Sequence, residues 1–139
     1  MWNFRGDPAD AQRRVDAAMD VLPELRSHRH QIAGSLSGGQ QQLLALARVL
    51  AREPEILMID ELSLGLAPVV VERLVEVVGT LRDQGMTIIV VEQSLNVASA
   101  VADRAVFLEK GHVRFEGPIS ELAARGDLAR AVFLGDDGG

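Results

Sequence analysis

Two short apolar runs with a helical segment between them constrain the fold of this chain most. The runs EILMID and MTIIVV, residues 55–60 and 86–91, have the length and composition of strands buried in a parallel sheet. Between them, Pro68 opens a segment whose apolar residues recur at helical spacing, and Gly85 closes it. Because parallel strands need a crossover, this order predicts an α/β fold with a parallel sheet.

Further helices are predicted on both sides of this unit. A first helix is expected from Pro8 to the interruption at Pro23, and a second from Gly38 to Arg52, with a polar loop between them. Ser94 is expected to cap a third, short helix after the second run.

Composition narrows the classes of function. The 139 residues carry a formal net charge of −6 with no basic run, which argues against a free-standing nucleic-acid-binding domain. With no cysteine, disulfides and thiolate metal sites are absent, and His28 and His30 are expected to be solvated. No apolar run approaches the length of a membrane span, and the N-terminus lacks a signal-peptide core. We therefore expect a soluble, cytoplasmic chain.

The segment LSGGQ, residues 36–40, predicts an anion site at the start of the second helix. Ser37 can cap that helix and offer its hydroxyl to a phosphate oxygen, and Gln40 adds a neutral donor. Gly38 and Gly39 lack the Cβ atoms that would block close approach to the helix N-terminus. The alternative is a serine cap with flexible glycines before an ordinary amphipathic helix.

Two carboxylates follow the first apolar run. Residues 56–59 are expected to bury the strand, so that Asp60 and Glu61 emerge at its C-terminal end, where open α/β sheets bind ligands. An aspartate there can hold Mg²⁺, usually through water, and a neighbouring glutamate can orient and deprotonate an attacking water. The alternative is an acidic strand end that turns toward solvent.

A polar side chain also follows the second run. If the two strands are neighbours, the amide of Gln93 lies beside Asp60 and Glu61 and can sense the terminal phosphate of a nucleotide. The alternative, a surface amide at a strand–helix corner, is the better explanation of Gln93 taken alone.

In their order and context, these motifs resemble the C-terminal half of an ATP-binding cassette (ABC) transporter ATPase. LSGGQ is similar to the family signature, ILMIDE to its Walker B strand, and SLGLAP to its D-loop. GMTIIVVEQ, ADRAVFLEKGHVRFEG and AVFLG further resemble the ATPases for uptake of branched-chain amino acids and amides, which carry glutamine in place of the usual switch histidine. The similarity extends from Pro8 to Gly135.

The resemblance implies a partial P-loop NTPase (RecA-like) parallel sheet with a helical signature subdomain, and ATP and Mg²⁺ as cofactors. In that family Glu61 would be the catalytic base, Gln93 the switch residue, and Asp60 the residue that holds Mg²⁺ through water. Two ATP molecules would lie between head-to-tail domains. The signature would then contact the γ-phosphate of an ATP on the opposite subunit's P-loop through Ser37, Gly38, Gly39 and Gln40.

The resemblance also implies an organisation and a set of partners. Residues 1–53 would form the helical segment with the signature, 54–109 the Walker B, D-loop and switch part of the core, and 110–139 a C-terminal hairpin, short helices and tail. The implied partners are a second nucleotide-binding subunit or the N-terminal half of the domain, and membrane permease subunits, without nucleic acid. The implied location is cytoplasmic, peripheral on the inner face of the cell membrane through a permease.

The chain departs from the family pattern at two points. Leu62 stands where the family usually has proline after the glutamate, and no G-x-x-x-x-G-K-[ST] motif occurs in the 139 residues. We therefore expect the C-terminal half of a nucleotide-binding domain, from a truncated gene, a split gene or a cloning boundary, and no turnover by this chain alone.

Two hypotheses follow from the motifs. In the first, the chain is a fragment of the ATPase subunit that powers solute import; in the alternative, it is a non-catalytic module whose signature acts in trans on an intact ATPase. A chromosome-maintenance or repair ATPase of the same superfamily is a weaker third option, since the chain carries a −6 charge and no coiled-coil heptads.

Overall fold

The computed structural model describes residues 7–125. These residues form two compact units, one made of residues 7–57 and 65–88, the other of residues 58–64 and 89–125. The second of the predicted C-terminal helices, the AVFLG segment and the predicted tail, residues 135–139, lie outside the described residues. The division into three segments stays a prediction.

The first helix, α1 (Pro8–Val21), begins where the sequence predicts. The Asp7 carboxylate accepts a hydrogen bond from the Ala9 N–H at 3.0 Å, and Pro8 occupies the first helical position, where no N–H is needed. The segment RSHRHQIAG, residues 26–34, is predicted as a loop but overlaps two 3₁₀ helices, Pro23–His28 and Ala33–Ser35. The first of them buries Leu25, just before the predicted loop, in the core of its unit.

Two further α-helices belong to the first unit. Helix α2 (Gly38–Leu50) buries a face of Leu43, Ala47 and Leu50 at helical spacing. Helix α3 (Pro68–Asp83) buries Leu74, Val77, Val78 and Leu81. Its end is closed as predicted: Gly85 has φ +89°, and the Met86 N–H donates to the Leu81 carbonyl at 3.1 Å.

The two apolar runs form strands β1 (Ile56–Asp60) and β2 (Thr87–Val91), which are hydrogen-bonded neighbours in a parallel sheet, as predicted. Their C-terminal ends meet, since the Glu61 N–H, directly after β1, donates to the Val91 carbonyl at 2.9 Å. This pairing brings the segments after both strands to one edge of the sheet.

The prediction that these strands are buried throughout is wrong. Leu57 is 3% exposed, but Met58 is 72% exposed and Val91 57%. Successive residues of a strand point to opposite faces, so an apolar run predicts burial only if both faces are covered. Among the described residues only one face of each strand is covered, and the other presents apolar side chains to solvent.

The second unit is built around a hairpin. Helix α4 (Leu95–Val101) is capped as predicted by Ser94, whose hydroxyl accepts from the Val97 N–H at 3.4 Å. Strands β3 (Arg104–Glu109) and β4 (His112–Pro118) pair antiparallel and lead into helix α5 (Ile119–Ala124). The core of this unit contains Leu95, Phe115 and Leu122.

The predicted hairpin turn is confirmed. Lys110 and Gly111 have φ values of +48° and +81°, the left-handed pair that a two-residue hairpin loop requires. In the described part of the chain, β1–β2 and β3–β4 are separate two-stranded sheets, so β2 and β3 do not pair with each other. No helix between residues 7 and 125 is long and apolar enough to span a membrane.

Candidate functional site

The carboxylates after β1 and the amide after β2 lie together. The Gln93 Nε2 donates to the Glu61 Oε1 at 3.1 Å, and both side chains are exposed to solvent. Asp60 is the last residue of β1 and is exposed as well. The structure therefore brings the three residues to one strand end, as the neighbouring strands predict, while their catalytic roles stay predictions.

Glu61 has a strained backbone. Its φ is +53°, in the left-handed region that costs a non-glycine residue on the order of 1 kcal/mol or more. Its N–H donates to the Val91 carbonyl, which holds the backbone in this position, and its carboxylate accepts from Gln93. Backbone strain of this kind clusters at active sites, because surrounding contacts must over-determine the position of a functional group.

The sequence analysis missed Glu92. Its half-buried carboxylate accepts hydrogen bonds from the backbone N–H groups of Ser63, Gln93 and Ser94 and from the Ser63 hydroxyl. Burial alone would raise the pKa of Glu92, but these hydrogen bonds together bring its pKa below the ordinary glutamate value. The only sequence signal for this role is an acidic residue directly before Gln93.

The signature forms a complete capping box. The Ser37 Oγ accepts from the Gln40 N–H at 3.3 Å, and the Gln40 Oε1 accepts from the Ser37 N–H at 2.9 Å. The first intrahelical bond runs from the Gln41 N–H to the Ser37 carbonyl, so the N–H groups of Gly38 and Gly39 have no acceptor within the helix. The Ser37 hydroxyl proton is still available to a ligand, because the capping bond uses only an oxygen lone pair.

The two signature glycines have different surroundings. A Cβ added to Gly38 meets nothing within 4 Å, as expected for a position that faces a ligand. A Cβ on Gly39 would lie 2.7 Å from the Val70 Cγ2, in the first turn of α3. The prediction that Gly39 lacks a side chain only to admit a ligand is therefore incomplete. The missing side chain also lets the start of α2 approach the first turn of α3.

The predictions for the signature amide and for the first histidine need correction as well. The Gln40 Nε2 lies 3.0 Å from the His28 Nε2, so the expected neutral donor already has a partner within the protein. His28 is half-buried rather than solvated, and its Nδ1 is buried without a hydrogen-bond partner. The 3₁₀ helix that ends at His28 explains the difference, because it brings the ring to the start of α2.

The donor set at the end of β1 suits Mg²⁺ only in part. An exposed aspartate can hold the ion through water, and Mg²⁺ in nucleotide sites takes one or two carboxylates together with substrate phosphates. Among residues 7–125, no cluster of three or more His, Asp or Glu side chains could bind a metal ion by itself. Asp60 therefore fits the ion as a single ligand, and its role as the Mg²⁺ residue stays a prediction.

Comparison with known proteins identifies the class. A family model described as ABC transporter matches residues 3–63, which include the signature and the β1 strand end. The structure of cbiO1 from Clostridium perfringens, part of the ABC transporter complex cbiONQ, superposes with a TM-score of 0.80 at 26% identity, over 95% of this chain and 53% of that one. The ATP-binding cassette MJ0796 bound to ADP and Pi superposes with a TM-score of 0.66 at 28% identity, over 85% and 51%.

Individual relatives indicate the type of ABC transporter protein that the chain resembles. The high-affinity branched-chain amino acid transport ATP-binding protein BraG of Pseudomonas aeruginosa is 42% identical over 113 residues, 81% of this chain and 48% of BraG. The probable branched-chain amino acid transport ATP-binding protein LivF of Archaeoglobus fulgidus is 40% identical over 117 residues, 84% and 50%. The chain spans about half the length of these curated relatives. The chain therefore belongs to the ABC transporter ATP-binding proteins, and its resemblance to those named for branched-chain amino acid transport is confirmed. The P-loop NTPase fold class is confirmed as well.

Proposed function

We propose that this chain is part of the ATP-hydrolysing subunit of a solute importer, with branched-chain amino acids or related amides as the solute class. The observation that carries the proposal is the Gln93–Glu61 contact at the C-terminal end of two neighbouring parallel strands. The solute class rests on the names of BraG and LivF, which both refer to branched-chain amino acid transport.

The arrangement supports hydrolysis by a positioned water. The Glu61 carboxylate accepts a proton from water as the water oxygen bonds to the γ-phosphorus of ATP, and the bond from that phosphorus to the β–γ bridging oxygen breaks to leave ADP. The Gln93 amide donates to the Glu61 carboxylate and orients it. In this proposal the same amide senses the terminal phosphate when ATP is bound. When Mg²⁺ is bound, it neutralises developing charge on the phosphate oxygens, and Asp60 is the residue that would hold it.

The signature acts on a second nucleotide in this proposal. The N–H groups of Gly38 and Gly39 and the Ser37 hydroxyl face an anion at the start of α2, where the helix dipole also favours negative charge. That anion is the γ-phosphate of an ATP on a partner's P-loop. The partner is a second nucleotide-binding subunit or the N-terminal half of the domain, and permease subunits hold the assembly on the cytoplasmic face of the membrane.

A chimera tests this function. The segment of BraG that matches this chain is replaced by the chain, and phosphate release is measured with ATP and Mg²⁺. We expect turnover that falls by a factor on the order of 10²–10⁴ in Glu61→Gln, because the amide cannot accept the water proton. Glu55→Gln makes the same change at the other end of β1 and should leave turnover unchanged. Equal turnover in the two variants would contradict the proposal.

The alternative is a non-catalytic module that acts in trans. It is favoured by one observation, the lack of a G-x-x-x-x-G-K-[ST] motif in the 139 residues. In this case the chain added to intact BraG changes the ATP turnover measured for BraG alone. That effect should disappear in Gly38→Val and persist in Glu61→Gln, the reverse of the dependence expected for a hydrolytic role.

A further inference from the structure

The carboxylate of Glu92 joins two chain segments at the candidate site. Its Oε1 accepts from the Ser63 Oγ, the Gln93 N–H and the Ser94 N–H, each at 2.9 Å, and its Oε2 accepts from the Ser63 N–H at 3.1 Å. Ser63 lies two residues after Glu61 in the segment that leaves β1, while Gln93 and Ser94 lie in the segment that leaves β2. One side chain therefore fixes both segments to each other.

The hydrogen bonds to Glu92 are stronger than the hydrogen bond between Gln93 and Glu61. A carboxylate is an acceptor only, and hydrogen bonds to a charged acceptor contribute about twice as much as those between neutral groups. The Gln93–Glu61 bond, by contrast, joins two exposed side chains that compete with water for every donor and acceptor. The half-buried Glu92 therefore holds the two segments together more firmly than the exposed Gln93–Glu61 bond can.

We propose that Glu92 is a positioning residue: its carboxylate sets the distance between the segments that follow β1 and β2, and so holds the Gln93 amide on the Glu61 carboxylate. It acts through Gln93 and Ser63 rather than on a substrate. The catalytic meaning of this role rests on the proposed function, whereas the geometric role concerns the chain alone.

The geometric role is testable by NMR on the full 139-residue chain labelled with ¹⁵N-glutamine. The signal that disappears in Gln93→Asn is assigned to the Gln93 side-chain amide. The chemical shift of this amide in Glu61→Ala is the reference for an amide that has lost its Glu61 acceptor. In Glu92→Ala we expect the Gln93 signal to move to the Glu61→Ala position although Glu61 is intact. Glu121→Ala, an exposed acidic residue of α5, is the matched control and should leave the signal unchanged.

A second pair of variants covers the case in which Glu92→Ala disturbs the fold. Ser63→Ala removes one of the four hydrogen bonds and should shift the Gln93 signal part of the way, and Ser63→Thr should restore it because the hydroxyl returns. A Gln93 signal that stays at its wild-type position in a folded Glu92→Ala, or in Ser63→Ala if Glu92→Ala unfolds, would overturn the inference.

The consequence for activity is measured separately in the BraG chimera. Glu92→Ala should lower kcat about tenfold with the KM for ATP unchanged, since it affects orientation and not nucleotide binding. The NMR signal reports the inference alone, and the Glu61→Gln turnover reports the proposed function alone, so the failure of either is recognised without the other. A change in KM at constant kcat would contradict the positioning role.

Discussion

At the scale of single residues, the signature combines a ligand-facing glycine with a packing glycine. Gly38 has open space where a Cβ would lie, while Gly39 faces the Val70 side chain. The LSGGQ segment alone cannot distinguish these roles, because Val70 lies 31 positions further along the chain. The structure distinguishes the two roles. It therefore predicts a different effect on stability for the same substitution at Gly38 and at Gly39.

Alanine should lower stability at Gly39 but not at Gly38. Gly39→Ala should lower Tm, because overpacking against a stiff β-branched side chain costs about 1–3 kcal/mol. Gly38→Ala should leave Tm unchanged or raise it, since alanine restricts the unfolded chain and stabilises by about 0.4–1 kcal/mol where the backbone permits it. Thermal unfolding followed by circular dichroism measures both. Val70→Ala should rescue Gly39→Ala, and a Gly39→Ala chain as stable as wild type would contradict the packing role.

The site residues differ in how far the sequence could predict them. Asp60, Glu61 and Gln93 follow apolar runs, so neighbouring strands were enough to predict that they meet. Glu92 was not predictable in the same way, because its role depends on Ser63, 29 residues earlier, and on three converging N–H groups. The positive φ of Glu61 was equally hidden, since nothing in the residue type indicates it.

At the scale of elements, a half-buried ion pair joins the first 3₁₀ helix to α3. The Arg73 guanidinium binds Glu24 through two bonds, from Nε to Oε1 at 2.7 Å and from one terminal nitrogen to Oε2 at 3.1 Å. The hydrogen bond from Arg73 holds the pKa of Glu24 below its usual value. A planar guanidinium and a carboxylate in this geometry orient each other, and so hold the 3₁₀ helix Pro23–His28 next to α3.

This ion pair predicts a specific pH dependence. Because the pKa of Glu24 is lowered by folding, its contribution to stability is present above the ordinary glutamate pKa and is lost as the pH falls through the lowered one. Glu24→Gln should therefore lower the free energy of unfolding at pH 7 and make it less dependent on pH in the acidic range. Urea unfolding across pH measures this. Glu76→Gln, which removes the exposed partner of the same arginine, is the control and should preserve the pH dependence.

The open faces of β1 and β2 predict self-association of the chain. Met58, Ile89 and Val91 are 72%, 47% and 57% exposed, and unpaired strand edges with apolar faces recruit other chains. Sedimentation velocity should show a mass that rises with concentration and a smaller rise in the double variant Met58→Thr, Val91→Thr. Ile32→Thr, at an exposed apolar residue outside the strands, should have no such effect. A monomer at all concentrations, with strong hydrogen-exchange protection of residues 86–91, would contradict this expectation.

At the scale of the whole molecule, the sequence predicted the order and type of elements better than their burial. The period-3.6 segments and the Lys110-Gly111 turn are local signals, and the α-helices and the hairpin that they predict between residues 7 and 118 are present. Burial of a strand depends on what covers each face, which is not a local property. The apolar runs therefore predicted the strands correctly and their exposure wrongly.

The chain by itself should not hydrolyse ATP. Phosphoryl transfer depends mainly on positioning, and the 139 residues contain no P-loop lysine to hold the phosphates near Glu61. Phosphate release by the purified chain with ATP and Mg²⁺ should equal the blank without protein. Turnover by the chain alone that disappears in Glu61→Gln would show that it holds the nucleotide in another way.

The central claim is that Glu61 and the signature work at an ATP-dependent dimer interface, and gel filtration of the BraG chimera tests it most directly. Glu61→Gln keeps the shape of the side chain but removes the base and a negative charge near the phosphates, so ATP stays bound and uncleaved. We expect the Glu61→Gln chimera to elute as a dimer with ATP and as a monomer without it, and to lose the dimer when Gly38→Val is added. A Glu61→Gln chimera that remains monomeric with ATP and keeps its normal turnover would contradict the claim.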